Sequence, residues 1–239
     1  MKHKNEDFVF YEYGTHAVLH KYLGSDETAV IPAFSPQGKP VTELGSNAFS
    51  FNRTIQVVII PESCTTIGCG CFDGAYQLRY VNSILPGNTD ATHSVFPKSV
   101  RRIEYRAFSG TALVSVEFQT DDELEVCEYA FSDCYSLKNV SMPNCKSLIL
   151  GDGAYMRSGL TSFSAQFASS CVSSYAFAYC SSLIDFCTSC FNRLEEHAFY
   201  CCRSLERVVP RGCVSYDRSV FDGCTSLKAR MCTLPSHIV

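Results

Sequence analysis

A small residue followed by an aromatic one recurs eight times along this chain. The pairs are Ala48-Phe49, Cys71-Phe72, Ala107-Phe108, Ala130-Phe131, Ala154-Tyr155, Ala176-Phe177, Ala198-Phe199 and Val220-Phe221. Successive aromatics are separated by 23, 36, 23, 24, 22, 22 and 22 residues. A period of this size means that one supersecondary unit is stacked on copies of itself. No unit so short buries its own apolar face, so the copies must cover one another and the fold is a solenoid.

Each unit carries further apolar positions at fixed offsets. Six residues after the aromatic, or five in two shortened units, an apolar-x-x-apolar pair begins. The pairs are Ile55/Val58, Leu78/Val81, Leu113/Val116, Leu137/Val140, Leu160/Phe163, Leu183/Phe186 and Leu205/Val208. A third apolar residue two further on (Ile60, Phe118, Met142) gives the alternation of a strand. Five residues before each aromatic stands another apolar position: Leu44, Ile67, Ile103, Val126, Leu150, Val172, Leu194 and Tyr216. The unit therefore has two inward faces, one on a strand and one on the segment that returns to the next corner.

The phrase Ala130-Phe131-Ser132-Asp133-Cys134-Tyr135-Ser136-Leu137-Lys138-Asn139-Val140-Ser141-Met142-Pro143 resembles the BspA-like leucine-rich repeats of bacteria and protozoa. Residues 48–68 carry the same phrase, and the resemblance runs from about Val41 to Met231. It implies a β-rich leucine-rich-repeat solenoid with a parallel sheet on its concave face. Return segments should be irregular or short-helical, and about eight turns are expected. The family is one of surface proteins used in adhesion or partner binding, which implies a module without an active site. Residues 1–43 read as a capping segment: a hairpin from Phe8 to Tyr13 and His16 to Tyr22, then Val30-Ile31-Pro32. Residues 44–231 hold the repeats, with an insertion at about 83–95 in the 36-residue interval, and 232–239 form a tail. Arg230 breaks the apolar stripe of the last strand and marks the end of the array.

Composition removes several function classes. Net charge is −4, and the basic residues are scattered with only Arg101-Arg102 adjacent, so no nucleic-acid partner is expected. No apolar run approaches the length of a membrane span. The start, Met1-Lys2-His3-Lys4-Asn5, leads into an apolar run broken by Glu12, unlike a signal peptide. With an odd count of 15 cysteines, this favours a cytoplasmic setting; a removed leader would make it cell-surface or secreted.

Four of those cysteines (Cys134, Cys180, Cys202, Cys224) share one repeat position, three after the aromatic. Asn52, Ala75, Thr111 and Ser158 fill it elsewhere, so the slot selects small side chains and the thiols read as reduced, buried packing. Cys187-Thr188-Ser189-Cys190 is a CxxC without a second pair, so no metal is expected. No cofactor or hydrolase phrase is present, and no cofactor is expected. The enzymatic alternative is a cysteine-dependent hydrolase or redox protein using Cys187 or Cys201 with His197. A structural spacer is a further alternative.

Strand alternation places two outward residues on each rung: Val57/Ile59, Tyr80/Asn82, Ser115/Glu117, Asn139/Ser141, Ser162/Ser164, Asp185/Cys187 and Arg207/Val209. An extended sheet of shallow side chains suits a protein or glycan partner better than a small molecule. Tyr80, Asn82, Glu117, Asn139, Asp185 and Arg207 are the candidate binding residues on that face.

Overall fold

The computed structural model describes residues 2–82, 93–210 and 215–228. It opens with an antiparallel meander, Lys2–Asn5, Phe8–Glu12 and Ala17–Tyr22, as the hairpin pattern predicts. Ala17–Tyr22 then pairs in parallel with Val41–Leu44, and the sheet continues through the return segments Thr66–Ile67, Arg102–Ile103, Glu123–Val126 and Ser147–Leu150. The meander covers the edge that the first return strand would otherwise leave open. The return segments are short strands; among the described residues the one helix is a 3₁₀ turn, Arg218–Phe221.

A second set of parallel strands comes from the Leu-x-x-Val stretches. Thr28–Val30, Val57–Ile59 and Tyr80–Val81 form one group, Ser94–Phe96, Ser115–Phe118 and Asn139–Ser141 the next. Pairing of Thr28–Val30 with Val57–Ile59 makes it the first rung of the array. The boundary at 43/44 accordingly cuts through strand Val41–Leu44 rather than separating cap from repeats. In the last turns the two faces merge into single long strands, Ser162–Val172 and Asp185–Leu194. Pro61, Pro97 and Pro143 stop the earlier strands because proline has no N–H for the ladder; neither long strand contains one.

The three apolar columns meet inside. The corner rings stack continuously from Phe49 to Phe221, with centroid separations rising from 4.8 Å (Phe49–Phe72) to 5.6 Å (Phe199–Phe221). Eight corners bound seven complete turns, one fewer than the count of phrases suggests, and Tyr22 caps the stack against Phe49 at 5.0 Å. The strand leucines and the return-segment residues from Leu44 to Leu194 are buried with them.

The insertion interrupts a strand in mid-course. Val81 pairs with Val58 below, and Ser94 pairs with Val116 above. Ser94 and Val95, placed in the insertion by the sequence, belong to a strand because Phe96 fills the apolar slot of Ile60 and stacks on Phe118 at 4.6 Å. Residues 83–92, Arg230 and the tail at 232–239 lie outside the described residues.

Tyr155 is the one tyrosine among the repeat corners and is fully buried, its hydroxyl without a hydrogen-bond partner. Burial, with a lesser contribution from the neighbouring Cys134 and Cys145 thiols, pushes its phenol pKa up. Tyr155→Phe should raise stability by about 1–3 kcal/mol, the cost of an unsatisfied buried hydroxyl. Urea unfolding of the two proteins checks this; an unchanged or lower midpoint would mean the hydroxyl is satisfied.

Candidate functional site

Backbone register sets the outward columns. Thr28, Val57 and Tyr80 face one another across their strands, as do Ser115 and Asn139, and Ser162, Asp185 and Arg207. The second column runs through Val95, Glu117 and Ser141, then Ser164, Cys187 and Val209. Asn139 and Arg207 are exposed, and Tyr80, Asn82, Glu117 and Asp185 are partly covered. Asp185 Oδ1 accepts from Arg207 Nε at 2.8 Å, joining two candidate residues on adjacent rungs. Glu117 also borders an open recess of about 560 Å³ with Lys98, Gln119, Asp121 and Asn144.

Asn82 is engaged differently. Its φ is +47°, its Oδ1 accepts from Ile60 N at 2.5 Å, and its Nδ2 donates to Ile60 O at 3.1 Å. The side-chain amide thus stands in for the peptide group that the ladder loses where the chain leaves for the insertion. Ser94 Oγ completes the repair by accepting from Val81 N at 3.0 Å.

The corner edge of the solenoid has its own regularity, which the sequence comparison within units did not expose. Residues two before the first seven corner aromatics (Asn47, Gly70, Arg106, Tyr129, Gly153, Tyr175, His197) all have φ between +54° and +62°, while Ser219, before Phe221, lies in the 3₁₀ turn. Residues two after it (Phe51, Gly74, Gly110, Asp133, Arg157, Tyr179, Cys201, Gly223) are left-handed as well. A slot filled by Asn, Gly, Arg, Tyr and His looks permissive; its constraint is on the backbone, which must turn sharply on either side of the buried ring.

The cysteine slot is likewise more specific than size alone. Cys134, Cys180, Cys202 and Cys224 each donate from Sγ to the carbonyl of the previous rung's aromatic, at 3.0–3.1 Å. Thr111 Oγ1 donates to the same carbonyl of Phe108 at 2.9 Å. The position favours a small donor, which Cys, Thr and Ser supply. The first three thiols are buried and Cys224 is half-buried; the twelve cysteines whose side chains are described are free.

Burial raises the pKa of Cys134 and Cys180 to about 11, and that of Cys64 to about 12. Such thiols stay protonated and are poor nucleophiles. Of the residues named for the enzymatic alternative, Cys187 is exposed on the strand face and Cys201 sits in a left-handed corner position. His197 stacks on Tyr175 at 5.0 Å and meets Tyr200 edge-on, with Nδ1 3.3 Å from Glu196 Oε1. Among the described residues no hydrogen bond joins either thiol to His197, and no group of three or more His, Cys, Asp or Glu could hold a metal. No described helix is long and apolar enough to cross a membrane.

One cavity on the corner edge is built differently from its surroundings. It encloses about 430 Å³ and is bordered by the rings of Phe51, Tyr76 and Tyr135 and by Asp73, Arg106 and Asp133. Its floor is Gly74, Gly110 and Ala112. A Cβ on Gly74 would come within 2.6 Å of the Phe51 ring, so glycine lets that ring lie across the backbone. The Thr111-Ala112-Leu113 unit lacks one residue before its leucine, leaving Ala112 where the flanking units place Tyr76 and Tyr135. The missing ring is the opening. Arg106 Nη2 donates to Asp73 Oδ1 at 3.2 Å, and this hydrogen bond raises the guanidinium pKa. Tyr135 Oη donates to Asp133 at 2.9 Å, which raises the phenol pKa, and Arg157 lies 3.6 Å from the same carboxylate.

Stacked corner rings, parallel ladders and an unbroken unit pattern are now matched by comparison with known proteins. The profile of the BspA type leucine rich repeat region matches with six copies, over residues 36–88, 87–189 and 148–238. This chain belongs to the BspA-type leucine-rich repeat family. A leucine rich repeat protein of T. pallidum shares its fold, with TM-score 0.59 and 19% identity over 95% of this chain and 91% of that one. The pneumococcal vaccine antigen PcpA aligns with TM-score 0.49 and 15% identity, over 88% of this chain and 70% of that one. A leucine rich cell surface protein of Faecalibacterium prausnitzii A2-165 aligns with TM-score 0.36 and 18% identity, over 95% and 93%. No curated protein matches the chain.

Proposed function

We propose that this repeat array is a non-catalytic interaction module, adhesin-like in use, that presents its strand face to a protein partner. The observation that carries the reading is the register of the outward columns, which align mostly polar side chains from Ser115 to Arg207. Such a surface is broad and shallow, the form that repeat proteins use for macromolecules. Tyr80, Glu117, Asn139, Asp185 and Arg207 supply its side-chain chemistry, while the amide of Asn82 is occupied by Ile60. The rival cysteine-dependent chemistry loses support because His197 spends its ring on Tyr175 and Tyr200.

The test is biolayer interferometry of the folded protein against a panel of purified extracellular proteins, repeated with Asn139→Arg and Glu117→Arg. Binding that weakens about tenfold or more in these variants, with unchanged circular dichroism, supports the reading, since a bulky charge in a shallow interface disrupts packing there. Binding indifferent to both substitutions, or none across the panel, would favour the spacer.

A further inference from the structure

We propose that the corner-edge cavity between Tyr76 and Tyr135 is a binding site for a neutral oligosaccharide. This rests on the reading of the chain as an interaction module and adds a second site, on a different surface from the strand face.

The aromatic rings are the first ground. Phe51, Tyr76 and Tyr135 are 62%, 61% and 67% exposed, the three most exposed aromatic side chains among the described residues. None of them stacks on another ring, whereas the corner-edge rings of the C-terminal half are consumed by one another. Tyr175 stacks on His197, Tyr179 meets Tyr200 at 5.3 Å, and the Arg157 guanidinium covers Tyr179 at 5.4 Å. Unpaired flat rings around a cavity offer electron-rich faces to the weakly positive C–H face of a pyranose.

Polar chemistry then selects the class. Asp73 is met by Arg106 and Asp133 by Tyr135 and Arg157, so the cleft carries donors and acceptors side by side without a free charge of either sign. A cationic ligand would face Arg106, and an anionic one would face two carboxylates. Sugar hydroxyls donate and accept at once and match such a mixed lining.

A peptide is disfavoured by the backbone. Phe51 N, Gly74 N and Gly110 N already donate to Asp73 O, Ser109 O and Ser132 O on the next rung, at 2.8–2.9 Å. No open ladder remains here for an added strand. The cavity volume of 430 Å³ lies within the range of small-ligand sites, and it spans several rungs, which suits a short oligomer better than one ring.

The probes are α-1,4-linked and β-1,4-linked glucose oligosaccharides and a mannose oligosaccharide, titrated by calorimetry and by tyrosine fluorescence in this tryptophan-free chain. The expected result is saturable binding of at least one probe, weakened about tenfold or more by Tyr76→Ala and by Tyr135→Ala. Both rings are exposed, so the melting temperature should hardly move. Tyr76→Phe should retain binding, and Asn139→Arg on the strand face should leave it unchanged. No saturation by any probe at millimolar concentration, or binding that survives loss of both rings, overturns the inference. So does ring-dependent binding of an unmodified peptide library in place of saccharide. Protein binding by the strand face would persist in each of those cases, so failure here is separable from failure of the interaction reading.

Discussion

Mild alkali should unfold this protein, with a midpoint near pH 10 set by its buried thiols. Burial pushes Cys134 and Cys180 up to about 11 and Cys64 to about 12, and holds Cys71 and Cys202 well above the usual thiol range. In the unfolded chain each thiol ionises near pH 8.5. A pKa raised on folding leaves the stabilisation intact below the unfolded value and removes it as pH climbs toward the folded one. Each thiol then costs about 1.4 kcal/mol per pH unit, and Cys64, Cys71, Cys134 and Cys180 together about 6 kcal/mol. Cys202 is offset by Cys224, whose thiol pKa their shared hydrogen bond lowers. A domain stable by about 5–15 kcal/mol is exhausted within about one to three units. Circular dichroism against pH, in reductant, gives the midpoint. Cys134→Ala and Cys180→Ala should each return about 1–2 kcal/mol at pH 10, and Ala75 shows that the slot accepts alanine. A midpoint unmoved in the double variant would mean that the thiols do not control alkaline unfolding.

Phe131→Ala should cost about 3–5 kcal/mol, the largest expected loss from a single substitution in the corner column. Phe131 is fully buried, lies nearly parallel to Phe108 and Tyr155 at 5.2 Å and 5.4 Å, and meets Phe118 edge-on. Its removal opens a cavity that rigid rungs above and below cannot close. Phe221, half-buried at the last described corner, has one stacking neighbour, Phe199, and Tyr216 edge-on. Phe221→Ala should therefore cost only about 1–2 kcal/mol. Urea midpoints at constant m-value compare the two. Equal losses would contradict a nearest-neighbour array in which terminal units contribute one interface and central units two.

Most of the fold was legible because the apolar positions repeat. Phe49, Leu137 and Ile103 each belong to a column whose members share an offset, and a column that recurs so often has one way to leave water: stacking. The outward pairs followed from strand alternation, and register confirms where their backbones lie. The array's start was less legible, since Thr28–Val30 is too short to announce itself and becomes a rung only by pairing with Val57–Ile59.

The corner-edge cavity was not foreseen, although its signals stood in the sequence: a unit one residue short, glycines at 74 and 110, and tyrosines at 76 and 135. Comparing units position by position treats such departures as noise. Their effect appears only when rungs are superposed and a missing ring leaves a gap between two present ones.

The sequence by itself determined the solenoid, its period and which side chains face inward, because an apolar column that recurs at one offset leaves water only by stacking on its own copies. Tertiary structure decided the rest: Asn82 closing a broken ladder on Ile60, thiols reaching the carbonyl of the rung below, and open space beside Ala112. These are contacts between residues about 22–26 apart or more, made by polar groups and by absences, and hydrophobic patterning carries no record of either.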